Sequence, residues 1–149
     1  MSRRPAPPPD TPSGSPPGRV VVIVLLGYMG MVFALSHMSK PPIPQVLSEL
    51  SDKVLHAAEY VPLGYLCARA FRGSARHRAT LGLLAAAVFG VSDEFHQSFI
   101  PGRESSLWDW AADLTGSAVG ASLLFWSARR RERKKDGEAA KARPGTRRS

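Results

Sequence analysis

Hydrophobic residues in this chain gather into four runs, and the polar residues within the last three sit toward one end of each. Residues 20–38 are 19 consecutive positions without a formal charge; as a helix they extend about 28 Å, close to a bilayer hydrocarbon core of about 30 Å. The second run, 54–71, carries His56 and Glu59 near its start, and the third, 79–97, carries Asp93, Glu94 and His96 near its end. The fourth, 107–128, opens with Trp108, Asp109, Trp110 and Asp113 and then continues for 15 residues without a charge. This pattern predicts an all-α integral membrane protein, a bundle of four transmembrane helices. A cleaved signal peptide is the competing reading of the first run, since Arg3, Arg4 and Arg19 precede it and Ala34-Leu35-Ser36 resembles a small-residue cleavage site. The run is longer than the apolar region of a usual signal, and more apolar runs follow.

Composition changes at both ends. Residues 1–18 hold seven of the 13 prolines, and 129–149 are mostly Arg, Lys, Glu, Gly and Ala. Neither stretch can bury enough apolar surface to fold, so both are expected to be disordered tails around a membrane domain at 19–128. The tails carry 12 of the 20 basic and 4 of the 12 acidic residues, which leaves 8 of each between them. The net charge of +8 therefore belongs to the tails, and a formally neutral folded part argues against nucleic-acid binding. Cys67 is the single cysteine, so no intrachain disulfide and no cysteine-based zinc site can form.

Charge also predicts orientation. Arg3, Arg4 and Arg19 flank the first run, Arg69, Arg72, Arg76 and Arg78 follow the second, and Arg129, Arg130, Arg131, Arg133, Lys134 and Lys135 follow the fourth. The other two connections hold only Lys40, Lys53 and Arg103. Retention of Lys and Arg on the cytoplasmic side puts both termini there, in a multi-pass membrane protein. The segments 39–53 and 98–106 then face outward.

All the chemistry-bearing residues fall at that outer face. His56, Glu59 and Tyr60 share one helix face, with Asp52 one turn before them. Asp93, His96 and Gln97 share another, with Glu94 turned away from Asp93, and Asp109, Asp113, Gly116 and Gly120 form a stripe whose glycines admit a neighbouring helix. Lys53 and Arg103 are the cations best placed to pair with these acids. Ionisable groups at membrane depth cost roughly 2.5–3.5 kcal/mol each at a helix centre, so a cluster is a site hypothesis by default. For any one residue the plainer role is a partner that locks helix ends together. Trp108 and Trp110 are read as interfacial belt residues, and His37 and His77 receive no role.

The segment SDKVLHAAEYVPLGYLCARAF, followed by GVSDEFHQSFIPGRESSLWDWAADLTGSAVG, resembles the VanZ-like family of small bacterial membrane proteins. The likeness rests on Asp52-Lys53 with His56, Glu59 with Leu63-Gly64, Asp93-Glu94 with His96-Gln97, Pro101-Gly102-Arg103 with Ser106, and Asp109-Trp110 with Asp113 and Gly116. Asp113 stands where many relatives have Asn. The resemblance implies a four-span helical protein and, through the namesake, an association with resistance to the lipoglycopeptide teicoplanin. It implies no mechanism.

Two mechanisms follow from the residues. In the first, Lys53, Arg103, His56 and His96 hold the anionic headgroup of an envelope lipid or lipid-linked cell-wall precursor, or the helices intercept a lipoglycopeptide's acyl tail. In the second, His56, Glu59, Asp93 and His96, with Glu94, Asp109 or Asp113, bind a divalent metal that activates water against a lipid-linked substrate. The local excess of carboxylates, Glu104 among them, favours metal, whereas the absence of HExxH spacing argues against a familiar metallohydrolase. A purely structural subunit is a third reading. No cofactor other than a divalent metal is expected.

Overall fold

The computed structural model describes residues 18–37, 45–103 and 105–142. Four helices make up the fold: α1 (Arg19–Ser36), α2 (Gln45–Ala70), α3 (Ala75–Gln97) and α4 (Leu107–Ala142). The expectations placed on residues 1–17, Lys40 and the rest of 38–44, Glu104 and 143–149 lie outside the described residues.

Each predicted run is a helix, but three of the helices are longer than their apolar runs, α3 by one turn at its start. α2 begins at Gln45, so Asp52 and Lys53 stand on a helix rather than in a connection. α4 continues to Ala142, which corrects the expectation of disorder from Arg129 onward. Ala, Arg, Lys and Glu are strong helix formers, the apolar half of α4 supplies a nucleus that needs only propagation, and Lys134 lies 3.9 Å from Glu138 one turn later. Low hydrophobicity had suggested disorder, yet it removes only the reason to pack.

Among the described residues only α1 is long and apolar enough, by length and composition, to cross a membrane. The other three fall short because each carries charged residues toward one end. α1 packs mainly on α2, buries Val32 and Ser36, and is held by a hydrogen bond from Tyr28 Oη to the Glu59 carbonyl, 2.8 Å. Pro62, inside α2, has no N–H to offer the Ala58 carbonyl one turn before it, and the Tyr28 hydroxyl donates to the neighbouring Glu59 carbonyl in the same turn.

The largest interface joins α2 to α4, and small residues permit it. A Cβ added at Gly116 would lie 2.0 Å from the Ala57 carbonyl oxygen, one at Gly120 2.0 Å from that of Val61, and one at Gly64 2.3 Å from that of Ser117. The two backbones are in contact where any side chain would separate them. Gly82 does the same for α3 against Ala68 of α2. Around these contacts Val32, Tyr60, Leu63, Cys67 and Ala86 form one apolar core, and Ala68, Ala121 and Leu124 a second toward the other end.

The surface is as apolar as the interior is polar. Val88, Val91, Phe95, Phe99, Leu107, Trp108, Leu123 and Trp126 are all exposed, as are Ile23 and Leu26 of α1, while Asp93, Asp109 and Asp113 are at most 3% exposed.

Two turns position the site. At the α2–α3 turn Gly73 adopts φ +108°, and Ser74 caps α3 by accepting the His77 N–H at 3.3 Å. Beyond α3, Arg103 N–H donates to the Ile100 carbonyl at 3.1 Å across Pro101-Gly102, with Gly102 at φ +84°. Proline first and a positive-φ glycine second is the residue order of a type II turn. It turns the chain back so that Arg103 faces α3 and Ser106 can start α4.

Candidate functional site

Three of the helices bring their polar ends together at the end of the bundle opposite the arginine-rich one. On α2, Lys53 Nζ pairs with the Asp109 carboxylate of α4, and one turn on His56 Nδ1 lies 2.9 Å from Asp113 Oδ1. His56 and Asp113 are both buried, as is Asp109, and Lys53 is partly exposed. The four residues make two adjacent rungs between α2 and α4, a consequence of one-turn spacing on both helices.

α3 contributes Asp93, Glu94 and Gln97. Asp93 Oδ2 accepts from Gln97 Nε2 at 3.0 Å and from Ser36 Oγ of α1 at 2.7 Å. Gln97 Oε1 in turn accepts from Arg103 Nη1 at 3.4 Å. Glu94 Oε2 accepts the backbone N–H of Ser106 at 2.8 Å, and the Ser106 hydroxyl accepts the Trp108 N–H at 3.2 Å. Ser106 is therefore the N-cap of α4 and the link from α4 to α3, with Asp109 in the first turn beside the positive helix terminus.

Several buried atoms in this region make no well-formed hydrogen bond among the described residues: Asp93 Oδ1, Glu94 Oε1, Asp113 Oδ2, and the hydroxyls of Tyr60 and Ser117, with the Tyr60 hydroxyl close enough to the Asp113 carboxylate to interact with it. An unsatisfied buried polar atom costs about 1–3 kcal/mol, more when charged, so five in one region require an explanation. Two sets of side chains offer metal-ligating atoms all within 4.8 Å of one another: His56, Glu94 and Asp113, and Asp52, His56 and Asp109. The first set is fully buried, drawn from three helices, and contains two of the orphaned oxygens.

A small cavity of about 90 Å³ opens beside these residues, lined by Ser36, Asp52, His56, Glu59 and Arg103 with Leu35 and Leu55. Glu59 and Arg103 thus face the same space as His56. Tyr60 lies deeper and fully buried, and with Asp113 Oδ2 it surrounds the position of Gly90, where an added Cβ would meet both within 3.5 Å.

Twelve of the residues expected to form the cluster are brought together here: Asp52, Lys53, His56, Glu59, Tyr60, Asp93, Glu94, Gln97, Arg103, Ser106, Asp109 and Asp113. His96 is not. Its ring turns toward α1, stacked 4.4 Å from Phe33 and 5.7 Å from His37, along an apolar groove lined also by Met29, Gly30, Ala34 and Phe89. Residues three apart on a helix diverge by about 60°, enough to place Asp93 inside and His96 at the edge. The metal-ligand sets accordingly keep His56 from the sequence-based quartet and replace Glu59, Asp93 and His96 with Glu94 and Asp113, or with Asp52 and Asp109. Trp110, expected in the interfacial belt, donates from Nε1 to the Ala87 carbonyl at 3.2 Å and packs over Gly90, while Trp108 is exposed.

Sequence reasoning missed Ser36. It stood in a run read as uniformly apolar, and its one signal was a small hydroxyl at the polar end of that run.

The balance of charge is now visible. Six carboxylates, from Asp52, Glu59, Asp93, Glu94, Asp109 and Asp113, share the region with Lys53, Arg103 and one imidazole, and the Lys53 ammonium is engaged by Asp109. An acid-rich interior attracts cations.

The comparisons with known proteins agree with the motif-bearing region. An uncharacterized protein of Schizosaccharomyces pombe is 30% identical over 116 residues, covering 76% of this chain. The chain spans about 65% of that relative's length. No solved structure matches it. Residues 21–128, which hold the helix bundle and the site residues, match the family described as VanZ/LLP1. The chain belongs to the VanZ/LLP1 family.

Proposed function

We propose that this chain is a four-span membrane protein of the cell envelope whose polar site binds a divalent cation through His56, Glu94 and Asp113 and, with it, the phosphate of a lipid or lipid-linked headgroup. The observation that carries the reading is the meeting of one imidazole and two buried carboxylates from three helices within 4.8 Å, with Glu94 Oε1 and Asp113 Oδ2 unpartnered. Bonds of about 2.0–2.2 Å from a zinc-like ion to N and O ligands bridge nearly that spread. A cation there would satisfy both orphan oxygens and offset the carboxylate surplus.

The membrane assignment is supported by the inverted distribution of residues. Large apolar side chains face outward on all four helices while carboxylates are enclosed, the reverse of what a bundle in water needs. Arg19, Arg69, Arg72, Arg76, Arg78, Arg129, Arg130, Arg131 and Arg133 lie at one end and the acid-rich site at the other, which supports cytoplasmic termini and an outward-facing site. Arg103, on the wall of the cavity that reaches His56, supplies the anion-binding group. Polarising a phosphoester and activating a bound water is the chemistry such an ion would add. Teicoplanin resistance would follow if the headgroup belongs to a cell-wall precursor.

The test is the metal content of the detergent-purified full chain, by elemental mass spectrometry. The expected result is close to one equivalent of a divalent ion in the wild type and in His96→Ala, with less than a tenth of that in His56→Ala and Glu94→Gln. Equal metal in all four proteins, or none in a folded wild type supplied with zinc and manganese, would leave the network as a lock between helix ends and overturn the proposal.

A further inference from the structure

The opposite end of α4 holds a second arrangement, independent of the cation site. A cavity of about 370 Å³ is lined by Phe125, Trp126, Arg129, Arg130 and Arg133. Phe125 and Trp126 meet edge to face, their centroids 5.6 Å apart, and the Arg129 guanidinium stands 5.7 Å above the Phe125 ring. We propose that this end of α4 binds the phosphodiester headgroup of an anionic membrane phospholipid.

Three observations carry it. The helix does not stop at the end of the apolar run but continues to Ala142, so the three guanidiniums are held on a regular scaffold and not on a loose tail. Positions 125, 129 and 133 repeat at four residues, as do 126 and 130, and both rows lie on one helix face. At about 1.5 Å per residue, Arg130 sits about 6 Å and Arg133 about 10 Å beyond Trp126. A tryptophan settles at the headgroup level of a bilayer, and helix side chains tilt toward the helix N-terminus, so the long arginine side chains reach back from their backbone positions to the level where lipid phosphates lie. The lining contains no acid, and among the described residues no ion pair joins these arginines to Glu132 or Asp136. Guanidinium geometry matches phosphate oxygens two at a time, which a diffuse field from lysines would not.

Geometry separates this from the general attraction of a basic segment to an anionic surface. Arg131, Lys134 and Lys135 add the same charge on other faces of the same helix, and Lys134 is paired with Glu138. They provide the control. The experiment is native mass spectrometry of the full chain released from micelles that contain equal phosphatidylglycerol and phosphatidylcholine. The wild type should retain phosphatidylglycerol at least tenfold over phosphatidylcholine. The triple variant Arg129→Gln, Arg130→Gln, Arg133→Gln should lose at least tenfold of that retention, and the triple variant Arg131→Gln, Lys134→Gln, Lys135→Gln should stay within twofold of wild type. Equal losses in the two triples would show charge without a site, equal retention of the two lipids would show a site without headgroup selection, and displacement of the lipid by a short single-stranded oligonucleotide would show a general polyanion surface; each overturns the proposal. Single variants Arg130→Gln and Arg133→Gln, both at exposed positions, give a threefold or greater loss if the triple does not accumulate in the membrane.

Discussion

His56 Nδ1 lies 2.9 Å from Asp113 Oδ1, an enclosed pair that ties the middle of α2 to the second turn of α4. Removing the imidazole leaves the buried Asp113 carboxylate with no close partner but the Tyr60 hydroxyl. His56→Ala should therefore lower unfolding stability in detergent by about 3 kcal/mol. Asp113→Asn keeps an acceptor for the ring and should cost about 1 kcal/mol or less. Equilibrium unfolding of the two variants checks the ratio, and equal losses would mean that the pair contributes no specific bond.

The glycines of α4 should be far less tolerant than those of α1. Gly116→Ala and Gly120→Ala place a methyl about 2.0 Å from backbone oxygens of α2, which forces the helices apart at a cost of about 1–3 kcal/mol. Nothing lies within 4 Å of a Cβ added at Gly27 or Gly30, so Ala at those positions should be neutral or slightly stabilising. Melting temperatures of the four single variants decide it.

Ser36 and Ser92 offer a matched pair. Ser36 donates across helices to the buried Asp93, whereas Ser92 is exposed and donates to its own helix at Val88. Interhelical hydrogen bonds in membrane bundles average about 0.6 kcal/mol and reach about 1.7. Ser36→Ala should fall at the upper end of that range because Asp93 Oδ1 is already unpartnered. Ser92→Ala should be indistinguishable from wild type in the same unfolding assay.

Topology is testable with the one native cysteine removed. Cys67 is buried, and Cys67→Ala should leave folding intact within about 1 kcal/mol, as a small buried apolar exchange. On that background Ser105→Cys, near the acid-rich site, should react with a membrane-impermeant maleimide in intact cells, while Gly137→Cys should react only after permeabilisation. The opposite pattern would invert the orientation inferred from the arginines.

Much of this protein was legible in its sequence. The four helices follow from apolar runs bounded by Gly, Pro and charge, and their order along the chain places His56, Glu59, Asp93, Glu94, Asp109 and Asp113 at one end whatever the packing. The pairing of Lys53 with an acid was expected from charge alone. The Gly116 and Gly120 stripe was recognisable as a contact for a neighbouring helix, because only the absence of side chains lets two backbones meet.

What the sequence could not settle is rotation and partnership. A helical periodicity states which residues share a face but not which neighbour that face meets, and His96 shares its face with Asp93 and Gln97 yet turns to Phe33 and His37. The capture of Asp93 by Ser36, across 57 positions of chain, depends on where α1 docks, which a nearly uniform apolar run does not encode. The convergence of His56, Glu94 and Asp113 needs three helices rotated together, with backbone contact between α2 and α4 at Gly64, Gly116 and Gly120 and between α3 and α2 at Gly82. Depth in the bundle is a property of the chain and can be read along it. The company a side chain keeps at that depth is set by packing, where a rotation of a few tens of degrees exchanges one partner for another.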